Sequence, residues 1–168
     1  MAKSPENPPL DPPLKGLLGD VDGHLMLSGV PHARAMGMSI VEMTHSNTII
    51  KLPFDKRFVG NPETGVIHGG AITSLLDNAS GMAVFCALEE LVSIATLDLR
   101  IDYMRAATPG EDVFAHAHCY KLTHTIAFVR GTAYGTSKDD PIATSTGAFM
   151  LGSNAGRELG ANLKKEGA

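Results

Sequence analysis

The stretch Val66–Leu88, VIHGGAITSLLDNASGMAVFCAL, decides the fold of this chain. Over that whole length only His68 and Asp77 titrate near neutral pH. A run this long raises the question of a membrane span. His68, Asp77, Asn78 and several Ser and Thr interrupt it, however, and nothing else in the chain is membrane-like. The pattern predicts instead a buried helix from Gly69 to Glu89, apolar nearly all round because other elements surround it. The small residues Ala79, Gly81 and Ala83 let those elements approach closely.

Upstream of the helix, Pro31–Met36 predicts a short helix with proline in its first turn. Met38–Met43 and Thr48–Pro53 read as two strands joined at Ser46-Asn47. Asp55–Val66 holds Gly60, Asn61, Pro62 and Gly65, which is loop chemistry. Downstream, residues 93–105 alternate: Leu97, Leu99, Ile101 and Tyr103 face one way, Thr96, Asp98, Arg100 and Asp102 the other. Asp112–Lys121, Thr125–Thr136 and Ile142–Leu151 continue as strands, with a hairpin tip over Ser137–Pro141. One long buried helix followed by consecutive antiparallel strands is an α+β arrangement, a sheet wrapped around a helix.

The 168 residues make one domain. At 43% hydrophobic and 19% charged the chain is globular, not disordered. A net charge of −4 leaves no basic face for nucleic acid. Aromatics at 5%, with no tryptophan, argue against a base-stacking platform. Cys86 and Cys119 are too few for a disulfide scaffold, and no apolar signal segment opens the chain, so a reducing cytoplasm is the expected compartment. Five prolines among the first thirteen residues predict a flexible arm over 1–29, and Gly, Ala and Lys predict a loose tail over 152–168. The folded body is then 30–151.

Asp77 is the most informative residue for function. A carboxylate inside an apolar helix costs several kcal/mol unless it is paired, hydrated or protonated, and catalytic positions accept that cost more often than structural ones. The plainer alternative is a solvent-facing or salt-bridged aspartate, but no Lys or Arg lies within a helical turn of it. His68-Gly69-Gly70 sits where loop becomes helix. Backbone N–H groups there lack intrahelical partners, and the macrodipole makes them donors for a developing oxyanion. Glycines let a substrate carbonyl approach without a Cβ in the way. A tight turn capped by His68 would use the same residues.

Taken together, Gly65-Val-Ile-His-Gly-Gly-Ala-Ile-Thr-Ser-Leu-Leu-Asp77-Asn-Ala resembles the signature of hotdog-fold acyl-CoA thioesterases of the phenylacetic-acid-degradation (PaaI-like) type. That family carries His-Gly-Gly and then an acidic residue nine positions after the His, on its central helix. Ala95–Arg105, Thr125–Arg130 and Ala143–Leu151 resemble its later strands, so the likeness covers about residues 37–152. The resemblance implies a hotdog fold, an antiparallel sheet wrapped around one long central helix. It implies that Asp77 is the catalytic carboxylate, acting as general base on water or as nucleophile, and that the Gly69 amide polarises the thioester carbonyl. His68 heads the catalytic motif. Thr96 matches a hydroxyl that orients water in some relatives, and Asn61 lies near an Asn or Gln that contacts the thioester. Gly70, Asn78 and Met82 would line the substrate pocket, while Arg105, His124 and Thr125 fall where relatives contact CoA.

The chemistry is coherent. A positioned carboxylate supplies about 10²–10⁴-fold by general-base catalysis, and one oxyanion donor about 10²–10³-fold. No G-x-S-x-G elbow is present, so a serine nucleophile is not expected. His116, His118 and Cys119 on one strand point to both faces and lack a fourth partner, so no metal is expected. No cofactor is expected either, CoA being part of the substrate. Two alternatives stand beside hydrolysis of an aryl- or medium-chain acyl-CoA: a hotdog-fold hydratase or dehydratase, and a non-catalytic acyl-CoA-binding protein. The first needs acid and His motifs that are not found here, and the second usually brings a helix-turn-helix. Gly69 and Asp77 are eight residues apart, about 12 Å along one helix. Both must lie within roughly 3 Å of one reacting carbonyl. A homodimer with shared active sites follows, and the exposed sheet edge and helix end leave dimer or homotetramer as the expected assembly.

Overall fold

The computed structural model describes residues 23–152. Two short helices, α1 (Gly23–Ser28) and α2 (Pro31–Ala35), lead into the hairpin β1 (Ser39–Thr44) and β2 (Asn47–Leu52). A 3₁₀ turn at Lys56–Phe58 and the small pair β3 (Val59–Asn61) and β4 (Val66–Ile67) precede the long helix α3 (Gly69–Ala87). Four strands complete the chain: β5 (Ile94–Tyr103), β6 (Val113–Leu122), β7 (Ile126–Tyr134) and β8 (Pro141–Leu151). Of the arm expected over 1–29, residues 1–22 lie outside the described region. Its last part is not an arm: α1 packs on β1 and Leu27 is 2% exposed. The tail expected over 152–168 lies outside the described residues from 153 onward.

The main sheet is antiparallel throughout, in the order β1-β2-β6-β7-β8-β5. Helix α3 lies across it, chiefly against β2, β6 and β7. The inward residues of these strands are Thr48, Ile50 and Leu52 on β2, Ala115 and Ala117 on β6, and Ala127, Val129 and Ala133 on β7, all buried. Small side chains on β6 and β7 let the helix sit close, so that Leu75, Leu76, Ala79 and Ala83 lose all contact with solvent. The fit is tight at Gly131, where a Cβ would lie 3.2 Å from Leu76 Cδ2. The turn joining β1 to β2 relies on Ser46 in the left-handed region, with φ 63°.

The long helix starts at the expected residue and ends two residues earlier than expected, where Leu88 turns extended. No helix among the described residues is long and apolar enough to cross a membrane.

Strand β5 departs from simple alternation in one place, and the site depends on it. The pairing of β5 with β8 shifts register between Thr96 and Asp98, opposite Phe149 and Ala148. Leu97 is the extra residue of this β-bulge and is thrown outward, 53% exposed. One inserted residue reverses the face of everything before it. Thr96, expected opposite to Leu99, Ile101 and Tyr103, therefore shares their helix-facing side.

Candidate active site

The start of α3 is built around His68. Its backbone is extended (φ −64°, ψ 136°), and its Nδ1 accepts a hydrogen bond from the Gly70 N–H at 2.9 Å. The His68 N–H in turn donates to the Phe58 carbonyl at 2.7 Å, which ties the preceding loop to the helix end. An accepting Nδ1 leaves the ring proton on Nε2. Strand β3 runs hard against this residue: a Cβ on Gly60 would lie 2.9 Å from His68 Cα. His68 thus caps the helix through its side chain.

The cap satisfies Gly70 and leaves Gly69 untouched. The Gly69 N–H has no acceptor among the described residues, while its carbonyl accepts from the Tyr103 hydroxyl at 2.6 Å. A free N–H at the first turn of a nineteen-residue helix carries the positive end of the helix dipole. It is placed to stabilise an oxyanion.

Two turns further along, Asp77 is half-buried on the side of the helix that faces β5. Thr96 Oγ1 donates to its Oδ1 at 2.9 Å, which the β5 bulge makes possible. No cation pairs with Asp77 among the described residues. One carboxylate oxygen is thereby oriented, and the other is available to take a proton. Gly69, Thr73, Asp77 and Gly81 form one stripe of α3 at a spacing of four residues, and all four meet β5 or its neighbour β8. Within a single chain the Gly69 amide and Asp77 remain about 12 Å apart along the helix axis.

The remaining candidate residues fall in several places. Asn61 is exposed at the end of β3, and its Oδ1 accepts from the Glu63 N–H at 3.0 Å, closing a turn of its own loop. Asn78 is half-buried, its Nδ2 bonded to the Ser74 carbonyl at 2.8 Å. Met82 is 4% exposed and belongs to the core, as does Leu75. A helix surrounded by sheet on most sides spends its large apolar residues on packing, so neither lines an open pocket in the single chain.

Arg105 is engaged by the β7–β8 tip. Its Nη2 donates to the Asp140 carbonyl at 2.9 Å, and its Nε lies 3.0 Å from Asp140 Oδ2, an ion pair out of line for a hydrogen bond. His124 and Thr125 are exposed in the β6–β7 turn, where the Thr125 carbonyl accepts from the Leu151 N–H. Arg105 follows the end of β5 that pairs with Ala143, whereas His124 and Thr125 flank the other end of β8 near Met150. The two groups are about 23 Å apart along the strand, so one chain does not bring them together.

A groove of about 540 Å³ opens beside the helix start. Met36, Phe58, Val59 and Ala71 supply its apolar lining, and His32, Arg57, His68 and Ser74 its polar one. His32 Nε2 lies 3.3 Å from Ser74 Oγ, which itself donates to the Gly70 carbonyl. On the outer face of the sheet, burial lowers the pKa of His116, with Lys138 and His118 adding to the effect and Glu42 opposing it. Among the described residues no group of three or more His, Cys, Asp or Glu could hold a metal ion.

Sequence reading missed Tyr103, Thr73, His32 and Ser74. Tyr103 stood in the apolar alternation of its strand, and nothing local marked it as a partner of a glycine 34 positions earlier. The four-residue spacing of Gly69, Thr73 and Asp77 was the one signal present.

Residues 64–140, which include His68, Gly69, Asp77 and Thr96, match the profile of the thioesterase superfamily. A Pseudomonas aeruginosa protein of known crystal structure is 41% identical, with a TM-score of 0.70, over 76% of this chain and 95% of that one. The medium/long-chain acyl-CoA thioesterase YigI of Escherichia coli is 25% identical over 143 residues, 77% of this chain and 91% of its own length. The PaaI protein of the E. coli phenylacetic acid degradation operon shares the fold, with a TM-score of 0.67 at 19% identity over 76% of this chain and 88% of that one. The sheet wrapped around α3, the His68-Gly69-Gly70 helix start and the matched profile agree: this chain carries the hotdog-fold domain of the thioesterase superfamily, a family of hydrolases.

Proposed function

We propose that the chain hydrolyses acyl-CoA thioesters to a free acid and CoA, in a dimer whose two sites each join Gly69 of one subunit to Asp77 of the other. The observation that carries this reading is the pairing of a free Gly69 N–H with a Thr96-oriented Asp77 on one helix stripe, too far apart to act together in one chain. A reacting thioester needs both within about 3 Å. Edge strand β5 supports the assembly: it is ten residues long and has no strand on its outer side among the described residues, and it exposes Leu97 and Tyr103, with Met104 just beyond. An open edge of this length with apolar side chains is normally covered, and a two-fold axis across it forms two identical sites. A homotetramer would double this unit, and light scattering reads its mass.

In the proposed reaction Asp77 takes a proton from water as the water oxygen bonds to the thioester carbon. The Gly69 N–H holds the oxygen of the tetrahedral intermediate. The intermediate collapses with cleavage of the C–S bond, and the CoA thiolate receives the proton. General-base assistance of about 10²–10⁴-fold and one oxyanion donor of about 10²–10³-fold act on an ester with weak resonance stabilisation. Thr96 keeps the carboxylate in one orientation. A single turnover in ¹⁸O-water separates this route from nucleophilic attack by Asp77. Direct hydrolysis labels the product acid at once, whereas an anhydride intermediate opened at the Asp77 carbonyl would place the first label in the protein.

The groove beside Gly70 supports an aryl- or medium-chain acyl group, because its apolar lining and its volume suit one. The separation of Arg105 from His124 and Thr125 supports CoA contacts drawn from two subunits. Free and buried Cys86 and Cys119 are consistent with a reducing cytoplasm. The test is thiol release from a panel of aryl-, short-, medium- and long-chain acyl-CoAs. Binding without release anywhere in the panel would overturn the reading.

A further inference from the structure

Tyr103 is a half-exposed aromatic at the end of an edge strand, yet its hydroxyl is bonded twice to α3. The phenol has one proton. That proton goes to the Gly69 carbonyl at 2.6 Å, so Thr73 Oγ1, at 2.9 Å, donates its own to the Tyr103 oxygen. The Gly69–Gly70 peptide is then held at both polar ends: its carbonyl by Tyr103 and its N–H by His68 Nδ1. Two consecutive glycines would otherwise leave the first turn unusually free to rotate. The Gly69 N–H, by contrast, has no acceptor among the described residues.

We propose that Tyr103 is a positioning residue whose hydroxyl, seated by Thr73, fixes the Gly69–Gly70 peptide so that the Gly69 N–H stays aimed at the thioester carbonyl. This rests on the reading of Gly69 as the carbonyl-polarising donor. Fixing a donor in advance removes reorganisation at the moment of reaction, so the benefit appears in turnover and not in ground-state binding.

Tyr103→Phe keeps the ring and removes the hydroxyl. With octanoyl-CoA or benzoyl-CoA as the probe, kcat should fall about 3–10-fold while KM stays within about twofold. Thr73→Val should shift kcat in the same direction by a smaller factor, and it carries the test if the phenylalanine variant fails to fold. A second readout needs no turnover. In an Asp77→Asn background, octanoyl-CoA labelled with ¹³C at the carbonyl should show a lowered C=O stretching frequency on binding, and adding Tyr103→Phe should reverse part of that shift. A third needs no substrate: the amide resonances of Gly69 and Gly70 should move or broaden in Tyr103→Phe. Absence of thiol release from the wild type would overturn the thioesterase reading, and the glycine resonances would still decide whether Tyr103 orders the turn. Normal kcat, an unshifted carbonyl band and unchanged glycine resonances in Tyr103→Phe would overturn the inference while leaving thioesterase activity intact.

Discussion

The shared site makes a prediction that few other arrangements would make. Gly69→Pro removes the proposed oxyanion donor and little else. Gly69 is the first residue of α3, a position where proline is favoured. The preceding His68 already has the extended backbone that proline demands (φ −64°, ψ 136°). The cost is local, since a Cβ at this position would lie 3.2 Å from the Tyr103 hydroxyl. Gly69→Ala is the matched control, because it brings the same Cβ but keeps the N–H. Gly69→Pro should lose about 10²–10³-fold in kcat, and Gly69→Ala should lose far less. Asp77→Asn is inactive for a different reason. Unfolding the two inactive variants together and refolding them at equal concentration makes about half of the dimers mixed. Each mixed dimer holds one intact Gly69–Asp77 pair, so about a quarter of wild-type activity should return. Native mass spectrometry confirms the mixing and a thiol reagent reads the activity. Folded mixed dimers that recover nothing would refute the shared-site geometry, because a site contained in one chain cannot be complemented this way.

Three further outcomes follow from the same contacts. Asp77→Asn alone should lower thiol release by at least about 10²-fold; its unfolding free energy should change by no more than about 1 kcal/mol, because the carboxylate is half-buried and bonded to Thr96, not sealed in the core. Thr96→Ala should lose about 2–12-fold in kcat, the equivalent of one hydrogen bond of about 0.5–1.5 kcal/mol, and an unchanged rate would show that the bulge places Thr96 without orienting Asp77. Burial lowers the pKa of His116 in the folded state, so the unfolded chain binds the extra proton; its contribution to stability is full above the unfolded value of 6.5 and is lost as pH falls from there through the lower folded value. The melting temperature should therefore drop less steeply on acidification in His116→Gln than in the wild type, and equal slopes would remove His116 from the acid response.

The helix and its polar points were legible in the sequence because they are local. An uncharged run wrapped by other elements has one stable solution, and a His-Gly-Gly at its start and an Asp two turns on are placed by helical spacing alone. The six strands of the main sheet were legible too, within a residue or two, because alternation carries burial on each face, whereas the short pair β3 and β4 arose in a stretch that reads as loop.

Where the site residues ended up was decided by contacts between distant parts of the chain. Leu97 continues the apolar alternation without a break, so nothing local announces the bulge that sends it outward and turns Thr96 toward Asp77; the pairing with Phe149 and Ala148 sets it. Arg105 stands by resemblance at a CoA-contact position, and only the β7–β8 tip brings Asp140 to it. Met82 reads as a pocket wall until the sheet closes over it. Tyr103 becomes a clamp only because β5 passes the start of a helix 34 residues earlier in the chain. Spacing along a helix or strand is fixed by the backbone, whereas a one-residue slip in a ladder, or the choice of partner for a long polar side chain, is settled only by the packed whole.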